Sequence, residues 1–210
     1  MGVRWDVELD TELVADAVRF LRGAALGVKP RVRWPSGIDE LRGVIPAELR
    51  LSPGWALSMY GDGGWGNVVK AAKYGDHRYA DVLVDASASL LRACDAGPAS
   101  AWVTSVPSTS SLQLVADFAR RLAAALSLEY RDVVRWSRSG RPQKEMENSA
   151  QQFGNVYGAF EVHGPVRPDP VLLVDDIVDS GWTITTIGIA LREAGAGPVF
   201  PFVLAKAVSS

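Results

Sequence analysis

Two adjacent carboxylates, Asp175 and Asp176, directly follow four apolar residues, Val171 to Val174, and precede a short turn, Asp179-Ser180-Gly181-Trp182-Thr183. A continuous apolar run of this kind reads as a strand buried on both faces, as parallel strands are. The acid pair then falls at the strand's carboxyl end, where open α/β sheets place their ligands. After the turn, residues Ile184 to Ala194 repeat apolar side chains at helical spacing. A strand-to-helix turn gathers backbone N–H groups and a helix N-terminus at one point, which suits a phosphate. Ser180 and Thr183 add hydroxyl donors. The carboxylate pair beside them suits sugar hydroxyls or a hard cation such as Mg²⁺.

The elements that must position this turn form an alternating series. Ala101–Val106 reads as a strand, Leu112–Leu126 as an amphipathic helix and Tyr130–Val134 as a second strand. A long polar stretch from Trp136 to Asn155 precedes a strand at Gly158–Val162, the Val171–Val174 strand and a last strand at Val199–Leu204. Strand and helix in alternation predict an α/β fold, a mostly parallel sheet flanked by helices. Upstream, helical patterns cover Asn67–Lys73 and His77–Arg92, and Glu48–Tyr60 reads as a strand or hairpin. Asp10 is an N-cap for a helix with Leu13, Val14, Ala17, Val18 and Leu21 as its stripe, ended by Gly23. A break near residues 36–55 divides the chain into an N-terminal helix and connector, 1–55, and a main domain, 56–210.

Composition is that of an ordinary globular chain: 210 residues, 48% hydrophobic, 22% charged, formal net charge −2. That balance does not call for nucleic acid or membrane as a partner. The single cysteine, Cys94, excludes an internal disulfide framework, and His77 and His163 are isolated, so no zinc cluster is expected. With no signal-peptide pattern and no apolar run near the ~20 residues of a spanning helix, a soluble, cytoplasmic protein is expected. Gly61-Asp62-Gly63-Gly64-Trp65-Gly66 fits a dinucleotide-binding pattern on paper. The context does not, because no long buried strand is expected before it.

The string from Val171 to Thr183 resembles the signature of type I phosphoribosyltransferases: four hydrophobic residues, two acids, two variable residues and a phosphate loop ending in Thr. The resemblance implies the fold of that family and a site for phosphoribosyl pyrophosphate (PRPP) with Mg²⁺. It implies that Asp175 and Asp176 hold the ribose hydroxyls and that Asp179, Ser180, Gly181, Trp182 and Thr183 wrap the 5′-phosphate. It also implies that Asp179 is a general base toward an incoming nitrogen base. Trp182 stands where the family usually carries a small residue or Lys. Pyrophosphate would be met by Ser108, Thr109 and Ser110, in the loop after the first core strand, although no Lys or Arg lies between Ala101 and Arg120. Arg138, Arg141 and Lys144 occupy the long polar stretch, which fits a lid over pyrophosphate or a solvated loop.

Arg141-Pro142-Gln143-Lys144, Asn148-Ser149, Gln151-Gln152, Asn155-Val156, Gly158-Ala159-Phe160 and Lys73-Tyr74-Gly75-Asp76 resemble ComF-like members of the family. Phe20-Leu21-Arg22-Gly23, Pro30 to Pro35, the Gly61–Gly66 string, Asp117 to Ala123 and Val174 to Thr183 resemble the phosphoribosyltransferase-like tail of some bacterial RecQ-type DNA helicases. No Walker motif occurs in the chain. Two functions follow from these resemblances: phosphoribosyl transfer to a nitrogen base with release of pyrophosphate, or a non-catalytic PRPP-, nucleotide- or DNA-binding module tied to a helicase and DNA repair. Seven tryptophans and the basic connector Lys29 to Pro35 are compatible with stacking on single strands. The connector equally fits a linker that packs Trp34 on the main domain. A structural role as an oligomerisation domain is the third reading.

Overall fold

The computed structural model describes residues 26–36, 41–94, 100–108, 113–137 and 149–207. The expected N-terminal helix lies outside them. One six-stranded sheet organises the rest. Its strands are β1 (Leu26–Val28), β2 (Gly54–Met59), β3 (Trp102–Ser105), β4 (Glu129–Tyr130), β7 (Val171–Val178) and β8 (Val199–Lys206), in the spatial order β1-β2-β8-β7-β3-β4. β1 runs antiparallel to β2, and every other pairing is parallel. This is the α/β architecture expected, a mostly parallel sheet with helices on its faces.

Alternation along β7 sorts its side chains between two cores. Leu172 and Val174 join the face covered by α1 (Trp65–Ala71), α2 (Asp81–Ala93) and α3 (Leu114–Leu126). Val171 and Leu173 join the face covered by α5 (Trp182–Glu193) and by a separate antiparallel ribbon, β5 (Val134–Trp136) with β6 (Phe160–Val162). A short helix, α4 (Ser149–Val156), leads into β6. α5 is apolar almost all round, and it is buried on nearly every side. Leu51 of the connector packs so closely over Gly188 that a Cβ there would collide with its isobutyl group.

Several elements differ from expectation. The single strand expected at Tyr130–Val134 is two: β4 closes the main sheet, whereas β5 leaves it to form the ribbon. The turn Arg131-Asp132-Val133 divides them, with the Arg131 N–H donating to the Val103 carbonyl. The strand read at Gly158–Val162 belongs to that ribbon and not to the sheet. Part of the long polar stretch is helical, as α4. A strand does precede Gly61–Gly66: β2, parallel to β8. The turn nevertheless offers no dinucleotide site, because Asp62 fills it. Its Oδ1 accepts the N–H groups of Gly64 (3.1 Å) and Gly66 (2.8 Å), and its Oδ2 accepts that of Met59 (3.2 Å). Residues 26–36 and 41–51, expected in the N-terminal helix and connector, supply β1 and the buried Ile45 and Leu51.

Candidate functional site

β3 leads through α3 outward to β4, and β7 leads through α5 in the opposite direction to β8. The connections part between β3 and β7, so a crevice opens at the carboxyl ends of these two strands. Pairing of β7 with β3 stops at Val174, while pairing with β8 continues to Val178. Asp175 and Asp176 are therefore still strand residues on one side and free of a neighbouring strand on the other. The expectation placed them after the strand; they lie within it, at its open edge.

Pleating sends the two carboxylates to opposite faces. Asp176 turns to the helical face of α1–α3, where the Tyr79 hydroxyl donates to its Oδ2 at 2.8 Å and Lys73 Nζ lies 2.9 Å from the same oxygen. Its Oδ1 accepts the Ile177 N–H at 2.7 Å. Asp175 is buried, and its Oδ1 accepts the Asp176 N–H at 2.8 Å. Burial pushes the Asp175 carboxyl up to about 8, reinforced by the charge of Asp176 and opposed by that N–H and by Lys73. Burial works against the Lys73 ammonium, but the charge and hydrogen bond of Asp176 outweigh it and hold its pKa above the ordinary value. Tyr79 is raised by burial and by Asp176, so its phenol stays a donor.

The turn after β7 is set by Gly181, whose φ of +79° is the left-handed conformation that glycine adopts without strain. It stands as N-cap of α5, and the Thr185 N–H donates to its carbonyl. The N–H groups of the helix's first turn have no partner within the helix. Trp182 does not crowd this turn. Its indole is buried beside Phe153, with ring centroids 4.9 Å apart, and Arg31 lies over it at 5.3 Å. Arg31 also donates from Nε to the Ser180 carbonyl at 2.8 Å and from its N–H to Thr185 Oγ1 at 3.2 Å. The basic connector thus braces the turn from outside, and Trp34 packs edge-on against Phe153 and Tyr157.

A cavity of about 470 Å³ joins these pieces. Asp175, Asp176 and Thr183 line it from β7 and α5, Val106, Pro107 and Ser108 from the loop after β3, and Lys73, Tyr74 and His77 from the segment after α1. Trp136 closes one wall, its indole N–H donating to the Pro107 carbonyl at 3.1 Å. A second cavity of similar volume lies on the far side of α5, between Trp34, Pro46, Tyr157 and Ile189, away from the acid pair.

No protein-family model matches the chain, and no curated protein matches it. Among solved structures, it is similar to an allosteric regulatory enzyme of purine biosynthesis, with 27% identity over 50% of this chain and 22% of that one, at a TM-score of 0.36. It is also similar to a purine phosphoribosyltransferase from Pyrococcus horikoshii OT3, with 16% identity over 61% of this chain and 85% of that one, at a TM-score of 0.39. The chain spans about a fifth of the length of the first of these.

Of the residues singled out from the sequence, Asp175, Asp176, Ser108 and Thr183 meet at the one cavity. Ser180 and Gly181 form the adjoining turn, and Trp182 belongs to the core behind it. Asp179 is exposed and stands outside the cavity lining. Thr109, Ser110, Arg138, Arg141 and Lys144 lie outside the described residues. Sequence reasoning did not place Lys73 or Tyr79 in the site. Lys73 follows α1 in a π-helical turn, Ala72–Asp76, that ends at His77 with a φ of +52°. A wide turn ending in a non-glycine left-handed residue is a frequent mark of functional backbone. In the sequence its sole trace was the Lys73-Tyr74-Gly75-Asp76 string.

Among the described residues no helix is long and apolar enough to cross a membrane, and no group of three or more His, Cys, Asp or Glu is placed to hold a metal.

Proposed function

We propose that the chain binds PRPP and transfers its phosphoribosyl group to a nitrogen base, with release of pyrophosphate. The observation that carries this reading is the juxtaposition at one crevice of the Asp175–Asp176 pair and the first turn of α5. A ribose laid along β7 would present its hydroxyls to the carboxylates and its 5′-phosphate to the N–H groups after Gly181. The hydroxyls of Thr183 and Ser180 would complete the phosphate cradle.

The acid pair fits Mg²⁺ to this extent: two hard oxygen donors without a protein cage suit an ion that keeps waters and takes its other ligands from substrate oxygens. When bound, Mg²⁺ would supply positive charge to the pyrophosphate as it leaves. The chain's own groups do the rest. Asp175 and Asp176 fix the ribose, and the α5 turn fixes the phosphate, which aligns the anomeric carbon with the incoming nitrogen. The bond from that carbon to pyrophosphate oxygen breaks with its electron pair leaving on oxygen, and the nitrogen lone pair forms the new bond from the opposite face. Asp179 takes the nitrogen's proton where the base carries one. Ser108, and Thr109 and Ser110 beyond it, would donate to pyrophosphate, with Arg138, Arg141 and Lys144 as the covering cations.

The burial pattern supports this over a single-strand platform. Of the six tryptophans in the described residues, Trp65 is exposed, whereas Trp102 and Trp182 are core and Trp34, Trp55 and Trp136 are half-buried. Calorimetric titration with PRPP and Mg²⁺ tests the proposal. Saturable binding is expected; above pH 8, where Asp175 is ionised, Asp175→Asn should weaken it about 100-fold, because it removes a charged hydrogen-bond acceptor. Absence of binding by the wild type at millimolar PRPP would overturn it.

A further inference from the structure

We propose that Lys73 is the cation that receives the pyrophosphate end of the sugar substrate, exchanging its ion pair with Asp176 for the incoming phosphate. The assignment rests on the phosphoribosyl-transfer reading above, and it names a residue from a different element than the loop after β3.

Pyrophosphate brings several negative charges to a crevice that already holds two carboxylates, so a compensating cation is required there. The loop after β3 carries none, since no Lys or Arg occurs from Ala101 to Ala119. Among the described residues lining the cavity, Lys73 is the sole Lys or Arg. Arg135 lines an adjoining hollow, but it lies 2.6 Å from Asp132 and also donates to the Val134 carbonyl. Lys73 lines the same cavity as Ser108, so a pyrophosphate there would meet an ammonium and a hydroxyl.

The ion pair is built to open. The Lys73 side chain is 30% exposed and Asp176 11%, so the ammonium is the solvent-side partner. Its departure does not strip Asp176, because the Tyr79 hydroxyl still donates to the same Oδ2 and the Ile177 N–H to Oδ1. The exchange frees one face of Asp176 for a ribose hydroxyl at the moment the phosphate arrives. Filling one half of the site thereby prepares the other. Lys73 sits in the π-helical turn that follows α1, and its Nζ reaches Asp176 on β7 at 2.9 Å.

Calorimetry with inorganic pyrophosphate, and separately with ribose 5-phosphate, both with Mg²⁺ present, tests this. Lys73→Met is expected to weaken pyrophosphate about tenfold or more while ribose 5-phosphate changes far less, and Lys73→Arg should restore much of the loss. In a parallel titration without Mg²⁺, which Asp176 would otherwise help to hold, Asp176→Asn should tighten pyrophosphate, because the internal competitor for the ammonium is gone. The double variant Lys73→Met/Asp176→Asn should lose that gain; lacking an uncompensated carboxylate, it carries the test if the single Lys73 variant does not fold. Arg135→Met should bind pyrophosphate as the wild type does. Pyrophosphate affinity in Lys73→Met equal to that of the wild type, affinity in the double variant equal to that of Asp176→Asn, or transfer of the loss to Arg135→Met, would overturn the assignment while PRPP binding by the wild type leaves the broader reading standing. A wild type that binds no PRPP overturns both.

Discussion

Two strand–turn–helix units flank β8, and both carry glycine and aspartate in the turn. In the unit β2–α1, Asp62 folds back and accepts three backbone N–H groups, so the turn binds its own carboxylate. In the unit β7–α5, the carboxylates that matter stand upstream in the strand, on the wall of a cavity, and the helix's first turn opens toward the same space. Similar sequence ingredients thus give a closed structural corner in one case and the wall of an open cavity in the other. What the acid of the turn does decides which: Asp62 folds back onto the backbone donors, whereas Asp179 is exposed.

Substitutions can break this contrast. The largest effect is expected at Gly66, where a Cβ would collide with the Met59 carbonyl oxygen and with Asp62 Oδ1. Gly66→Ala should cost about 3 kcal/mol or more in denaturant unfolding, because backbone and plug must both move. Asp62→Ala removes the plug and leaves three N–H groups unanswered, and a loss of about 2 kcal/mol is expected in the same assay. Gly181→Ala meets open space and suffers only its φ of +79°, so about 1 kcal/mol is expected. A larger cost at Gly181 than at Gly66 would reverse the assignment of closed and open turns.

The smallest effect sharpens the electrostatic side of the comparison. Asp175, held at about 8 in the folded chain, binds its proton more tightly there than when unfolded. Its contribution to stability is complete below the ordinary carboxylate pKa and is lost as pH rises from there to about 8. Asp175→Asn should therefore flatten the pH dependence of melting over that window and raise the melting temperature at pH 8 by about 3 °C, near 1 kcal/mol. A variant less stable than wild type at pH 8 would show that the buried charge is compensated rather than strained.

The β7–α5 unit was legible because its parts are contiguous: an apolar run, two acids and a glycine turn occupy thirteen successive residues, Val171 to Thr183. The general alternation of strand and helix was legible for the same reason. Lys73 and Tyr79 were not, since Tyr79 meets Asp176 across 97 residues and no local pattern encodes that pairing. The division of Tyr130–Val134 into β4 and β5 was equally hidden. Strands of two and three residues are too short for a period to show, and only the partner strand decides where each belongs. The destination of Trp182 also depended on a distant partner, Phe153, which turns a bulky turn residue into core.

Arg31 ties the connector to the α5 turn through the Ser180 carbonyl, the Thr185 hydroxyl and the Trp182 ring. If the turn takes a phosphate as proposed, seating of residues 29–36 and occupancy of the turn are linked equilibria. Whatever factor the seated connector adds to phosphate affinity, bound phosphate must return to the connector's own seating. The segment joining β1 to the rest of the chain thus doubles as a reporter of the site, readable by hydrogen exchange far from any atom that a ligand would touch.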